Sequence, residues 1–144
     1  MKKVPVKIRR LRDGVTIPTY STIGSAGFDL YALDDIILRP GEVCLVPLGF
    51  AIELPPGVMM DIRPRSGMSL KTPIRISNSP GTIDPDYRGE VGVIVENRGD
   101  ETYRIEIGTR FAQGVLIPFF QADWMLDDDL SATTRGTGGF GSTG

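Results

Sequence analysis

The chain has 144 residues, 40% of them hydrophobic, and a formal net charge of -2, which suits one compact domain with a single core. Its pI near 5.1 excludes the broad cationic field that a general nucleic-acid or membrane-surface binder needs. With no histidine and one cysteine, zinc sites and Ser-His or Cys-His catalysis within one chain are excluded as well, leaving a carboxylate as the natural general base and a hard, oxygen-bound ion such as Mg²⁺ as the natural metal.

In chain order, MKKVPVKIRRLR reads as a strand with Val4, Val6 and Ile8 buried and its lysines and arginines solvated. No apolar run follows these charges, so the segment is not a signal peptide, and no stretch approaches membrane-spanning length. Short runs rich in strand formers follow at 28 to 32, 35 to 40, 42 to 54 and 58 to 64, each bounded by glycine or proline. Leu54-Pro55-Pro56-Gly57 punctuates a strand pair. Cys44, in the apolar run VCLVPLGF, reads as a small buried hydrophobe in a reducing compartment, which suggests the cytoplasm. SGMSLK, 66 to 71, has room for one helical turn.

Further on, EVGVIVEN is a strand, and Tyr103, Ile105 and Ile107 alternate with Thr102, Arg104 and Glu106 as a second one with a wet face. The turn Asn97-Arg98-Gly99-Asp100 between them predicts a hairpin over 90 to 107. FAQGVLIPFF, 111 to 120, is a further strand, and QADWMLDDDL a solvated connection. From residue 131 the sequence SATTRGTGGFGSTG has almost nothing that packs, so a mobile tail is expected over 131 to 144. The predicted fold is all-β: an antiparallel jelly-roll-like barrel or sandwich over 1 to 130, with at most one short helix.

Four patterns carry chemistry, and each also has an ordinary structural reading. Gly136, Gly138 and Gly141 match G-x-G-x-x-G, but no helix can follow with only three residues left, so a dinucleotide fold is ruled out. The tail still offers close-approaching backbone amides, the Arg135 fork and the flat Phe140 ring, or else a plain terminus. In PRSGMS, Arg65 precedes Ser66 and Gly67, which form either a phosphate seat or a helix cap. Arg110 and Gln113 stand at a strand entrance. In PGTIDPDYRG, 80 to 89, Asp84 and Asp86 are either turn residues or, with Ile83 and Tyr87 holding the loop against a surface, a device for orienting water at Asp84.

Together these segments resemble the trimeric dUTP pyrophosphatase (dUTPase) family, whose five motifs appear in order as AGFDLYA (26 to 32), PRSGMS (64 to 69), NSPGTIDPDYRGEVGV (78 to 93), GTRFAQ (108 to 113) and RGTGGFGSTG (135 to 144). The resemblance covers the whole chain. It implies hydrolysis of dUTP to dUMP and pyrophosphate with Mg²⁺ on the triphosphate, Asp84 activating the attacking water and Asp29 holding the metal through water. By the same resemblance, Arg65, Ser66, Gly67 and Gln113 bind phosphate, with Arg110 in a supporting role. It implies that the segment from Asn78 to Tyr87, with Gly81, Thr82 and Ile83, forms a hairpin whose backbone pairs with uracil while Tyr87 packs on the deoxyribose. It further implies a homotrimer with shared sites, in which Arg135, Phe140, Gly141 and Ser142 of one tail close over a neighbour's ligand. A dCTP deaminase of the same fold would need a glutamate where Ile94 stands. A non-catalytic nucleotide-binding module would have no use for Asp84 and the complete tail.

Overall fold

The computed structural model describes residues 3–141, and its elements are eleven strands and one helix. In order these are β1 (Lys7–Arg10), β2 (Gly27–Tyr31), β3 (Ile36–Leu38), β4 (Val43–Pro47), β5 (Phe50–Glu53), β6 (Val58–Pro64), α1 (Ser66–Lys71), β7 (Ile74–Ile76), β8 (Gly81–Ile83), β9 (Gly92–Asn97), β10 (Tyr103–Ile105) and β11 (Arg110–Pro118). Every strand pair is antiparallel. A four-stranded sheet runs β2-β11-β6-β8, a three-stranded one β4-β9-β7, and two ribbons pair β1 with β5 and β10 with β3. The expected jelly-roll-like all-β fold with one short helix is what forms.

The core is built by strands that alternate between one apolar and one wetter face. Along β9, Val93 and Val95 are buried while Gly92, Ile94 and Glu96 are not. Leu30, Leu38, Met60, Val91, Ile105 and Phe111 complete its most enclosed part. Gly114 belongs to this packing, because a Cβ there would come within 2.3 Å of the Phe28 ring. A larger residue at 114 and the ring of Phe28 cannot both fit.

Local turn signals mark reversals correctly but misassign the partners. The hairpin expected over 90 to 107 does not form: β9 pairs with β4 and β7, and β10 crosses to β3. Asn97 is the physical reason. Fully buried, it donates through Nδ2 to the carbonyls of Leu38 at 3.0 Å and Glu101 at 2.8 Å, and its Oδ1 accepts Gly99 N–H at 2.9 Å. The turn is thereby tied to β3, and the chain leaves β9's sheet. Asp35 then fastens β10's end by accepting from Ile107 N–H at 2.9 Å and from Arg104. Likewise β5 and β6, either side of Leu54-Pro55-Pro56-Gly57, pair with β1 and with β8 and β11 rather than with each other.

The burial expected for the first strand is also only partial. Val4 and Val6 are half-buried and Ile8 is 37% exposed; these side chains border an apolar groove of about 230 Å³ shared with Tyr20, Phe28 and Ile52. Cys44 is half-buried against the core, and burial pushes its thiol above the ordinary value. Ile107 lies beyond β10 and is exposed. The 119–130 segment forms no strand, and Phe120, Trp124, Met125, Leu126 and Leu130 all face outward from it.

Candidate functional site

The motif residues gather into two clusters. The first is a net of charges across β2, β11 and the β6–α1 junction. Asp29 on β2 is nearly buried. Its Oδ1 meets Arg65 Nε at 2.9 Å, its Oδ2 meets Arg110 Nη1 at 3.3 Å, and the Ser21 hydroxyl donates to Oδ2 at 3.0 Å. Arg65 also donates through Nη1 to the Arg110 carbonyl at 2.9 Å. Two guanidiniums facing one carboxylate leave one positive charge uncompensated, which favours an anion arriving from solvent.

Gln113 pairs with Asp29 across the β11–β2 ladder and donates to the Pro64 carbonyl at 2.9 Å. Its amide lies over Gly27, where a Cβ would come 2.3 Å from Oε1. Gly27 was not singled out by sequence reasoning; its place directly before Phe28-Asp29 was the available signal. Ser66 and Gly67 open α1, whose N-cap, Arg65, makes no side-chain cap hydrogen bond. The first-turn amides of α1 therefore carry no side-chain cap.

The second cluster is a cleft of about 240 Å³ in which Asn78, Gly81, Thr82, Ile83, Asp84 and Tyr87, all singled out from the sequence, line one space. Within 78 to 87 the one strand is β8, which pairs with β6, so the hairpin expected there has no ladder of its own; the preceding β7 lies in a different sheet. A cis peptide joins Ser79 to Pro80. The Asn78 side chain folds over Gly81, its Nδ2 3.1 Å from where a Cβ would sit. Below the cleft, Arg88 Nη1 donates to the carbonyls of Pro85 at 2.7 Å and Tyr87 at 3.1 Å, bracing the loop from within. Asp84 is exposed, and no ion pair among the described residues involves it.

Sequence reasoning missed Leu45, Glu90 and Gly92, which also line this cleft. Gly92 is there because a Cβ would strike Leu45 Cδ1 at 2.7 Å. Leu45 comes from a strand distant in sequence and gave no local sign. Ile94, the position at which the deaminase reading needs a glutamate, puts an apolar side chain into the same wall.

Within one chain the two clusters do not meet. Asp84 follows Ile83, which pairs with Met60, whereas Asp29 reaches Arg63 on the same β6 through Gln113. Four residues along a strand and three strand spacings therefore separate the two aspartates, about 13 Å by about 14 Å, on the order of 20 Å in all. That exceeds the reach from the α- to the γ-phosphate of a nucleotide. In the tail, Arg135 closes a small turn by donating from Nε to the Gly138 carbonyl at 2.8 Å, and Phe140 and Gly141 are exposed. Ser142 lies outside the described residues.

Among the described residues no three side chains of metal-ligating type converge. Asp29 has three contacts on about four lone-pair positions, so it suits an ion carried in by phosphate oxygens and reached through water, not a caged resident ion.

A family model described as dUTPase matches residues 13–144. The deoxyuridine 5'-triphosphate nucleotidohydrolase of Treponema denticola is 50% identical over 137 residues, covering 94% of this chain and 95% of that protein. Its namesake from Helicobacter pylori strain J99 is 42% identical over 139 residues, covering 96% of each. The structure of a Staphylococcus bacteriophage 80alpha dUTPase with dUPNHPP superposes with a TM-score of 0.91 at 26% identity, over 97% of this chain and 98% of that one.

Proposed function

The chain belongs to the dUTPase family, and from that membership we infer that it is a dUTP diphosphatase, hydrolysing dUTP to dUMP and pyrophosphate. The reaction supplies dUMP for dTMP synthesis and lowers the dUTP from which uracil enters DNA. The observation that carries this reading is the cleft in which Asn78, Gly81, Thr82, Ile83 and Tyr87 come together with Asp84, a carboxylate free of ion pairs among the described residues.

In the proposed mechanism Asp84 orients a water molecule and accepts its proton as the water oxygen bonds to the α-phosphorus. The bond from that phosphorus to the α–β bridging oxygen breaks, and pyrophosphate leaves. Asn78, Gly81, Thr82 and Ile83 surround uracil, largely through their backbone, and Tyr87 packs on the deoxyribose where a 2′-hydroxyl would collide. Cytosine would set a donor against a donor and leave buried groups unpaired. Arg65, Ser66, Gly67 and Gln113 take the phosphates, with Arg110 supporting Arg65 and Asp29. Mg²⁺, when bound to the triphosphate, would supply charge neutralisation, and Asp29 would hold it through water.

We further infer a homotrimer with shared sites. The separation between Asp84 and the Asp29 cluster supports it, since the phosphates of a nucleotide seated at one chain's Asp84 need the cations of another. The exposed apolar side chains of the 119–130 arm also support it, because such surface is stable in water only when a partner covers it. Arg135, Phe140, Gly141 and Ser142 would then close over a neighbour's ligand, ordered only when triphosphate repays the entropy of fixing so many glycines. No helix among the described residues is long and apolar enough to cross a membrane. The proposed setting is the cytoplasm, with no nucleic-acid or membrane partner.

The test is a pyrophosphate-release screen over dUTP, UTP, dCTP and dTTP, with Mg²⁺ and with chelator. Release from dUTP alone, lost with chelator, is the expected result. Ammonia from dCTP would instead establish a deaminase, and binding of dUTP without turnover a carrier module.

A further inference from the structure

Tyr87 is the aromatic side chain of the cleft, yet burial does not hold it, since 45% of it is exposed. A relay of contacts does. The Tyr87 hydroxyl donates to the Glu90 carbonyl at 3.0 Å. The ring lies so close over Gly89 that a Cβ there would come within 2.3 Å of the phenol oxygen. The Glu90 carboxylate in turn accepts the N–H of Gly49 at 2.8 Å.

Gly49 is an unusually firm anchor. It turns the chain between β4 and β5 at φ +74°, in the left-handed region, and a Cβ there would strike Leu33 and Val15 at 2.5 Å. On either side of it, Leu48 N–H donates to the Val91 carbonyl at 2.9 Å, and Val91 N–H donates to the Phe50 carbonyl at 2.8 Å. The peptide that holds the phenol is thus stitched to a rigid turn by two backbone bonds and one charged side chain. The Val91 N–H lies in the same planar peptide as the carbonyl that receives the phenol and holds that peptide from its Val91 side, while the Glu90 side chain holds it from the other side, at the Glu90 Cα.

We propose that Glu90 is a positioning residue for sugar discrimination: by gripping Gly49 N–H it fixes the carbonyl that holds the Tyr87 hydroxyl, and so sets how closely the ring approaches C2′ of a bound nucleotide. This rests on the reading of the cleft as the nucleoside end of a dUTP site. Glu90 acts through Tyr87 and takes no part in the proton transfer assigned to Asp84. A charge-assisted bond to a backbone amide is stiff enough for the purpose, and a ring displaced by a fraction of an ångström admits a hydroxyl that it otherwise excludes.

The experiment compares kcat and KM for dUTP and UTP in the parent protein, Glu90→Ala, Glu90→Gln, Tyr87→Phe and the Tyr87→Phe/Glu90→Ala double variant. Glu90→Ala should raise KM for dUTP by about tenfold with a smaller change in kcat, and narrow the dUTP-to-UTP ratio of kcat/KM by about as much. Glu90→Gln keeps an acceptor for Gly49 N–H and should restore the ratio to within about twofold of the parent. Tyr87→Phe should narrow the ratio as Glu90→Ala does, and the double variant no further, as expected of two residues in one relay. If Glu90→Ala slows both nucleotides in proportion, or if the two single effects on the ratio multiply, the role is overturned. Should Glu90→Ala fail to fold, Tyr87→Phe with an unaltered ratio overturns it alone. A parent protein that does not prefer dUTP refutes the reading of the cleft itself, an outcome distinct from either of these.

Discussion

The two ends of the site are held by different physics. At the proposed phosphate end, two arginines and a serine hydroxyl take three of the about four lone-pair positions of Asp29, and its proposed work is mainly to aim cations. At the nucleoside end the loop is braced by backbone acceptors, glycines under side chains, and the Arg88 fork on its own carbonyls. There Asp84 carries no ion pair among the described residues. A carboxylate that is to take a proton from water needs its lone pairs free, whereas one that arranges guanidiniums needs them occupied. On the proposed reading, the same residue type serves opposite ends by the company it keeps.

The sharpest way to break this contrast is to neutralise the free carboxylate. Asp84→Asn should reduce kcat for dUTP by about a thousandfold while leaving KM within a few-fold of the parent, read by pyrophosphate release. A comparable fall in binding with kcat preserved would mean that Asp84 holds substrate and does not act on water. The spatial side of the contrast is tested by mixing. Asp84→Asn and Arg65→Ala subunits should each be nearly inactive, but refolded together in equal amounts they should regain activity at roughly a quarter of the sites, as random mixing in a symmetric ring requires. No recovery would place both residues of each site in one chain, against the separation of the two clusters.

A smaller effect is expected at the occupied carboxylate. Asp29→Asn keeps the shape but removes the charge facing Arg65 and Arg110; about 1–3 kcal/mol of stability should go, with a rise of about tenfold in the Mg²⁺ concentration for half-maximal rate. Loss of stability with unchanged Mg²⁺ dependence would confine Asp29 to anchoring the arginines. The smallest effect lies outside the site, at Asp35, whose carboxyl is held below the usual range by the Ile107 N–H and then by Arg104. A depressed folded value means the stabilisation is present above the unfolded value near 3.9 and disappears as pH falls through the folded one. Asp35→Asn should therefore melt a few degrees lower than the parent at neutral pH, and the difference should close below about pH 4. A gap that persists in acid would show that the contact's geometry matters and its charge does not.

Much of the site was legible because its parts are local. PGTIDPDYRG carries its own turns, and a six-residue helix follows Arg65 where SGMSLK allowed one. The cleft residues singled out from the sequence, Asn78 to Tyr87, fall within ten positions of one another, so their convergence needs little more than the local backbone. The hairpin expected over 90 to 107 failed for the converse reason. Asn97 looked like a turn residue and is one, but what its amide binds is the carbonyl of Leu38, 59 residues away. Leu45, Gly27 and Gly92 escaped notice because each matters only through a side chain or strand remote in sequence.

From the sequence alone came the chemistry: which carboxylate has no imidazole to rival it, where the chain reverses, which residues alternate into a core. Tertiary structure alone decided which strands lie side by side, and with that the gap of about 20 Å between Asp84 and the Asp29 cluster, on which the proposal of a shared site rests. Periodicity along a chain states which face of a strand turns inward, whereas the neighbour across the ladder is selected by packing among all strands at once.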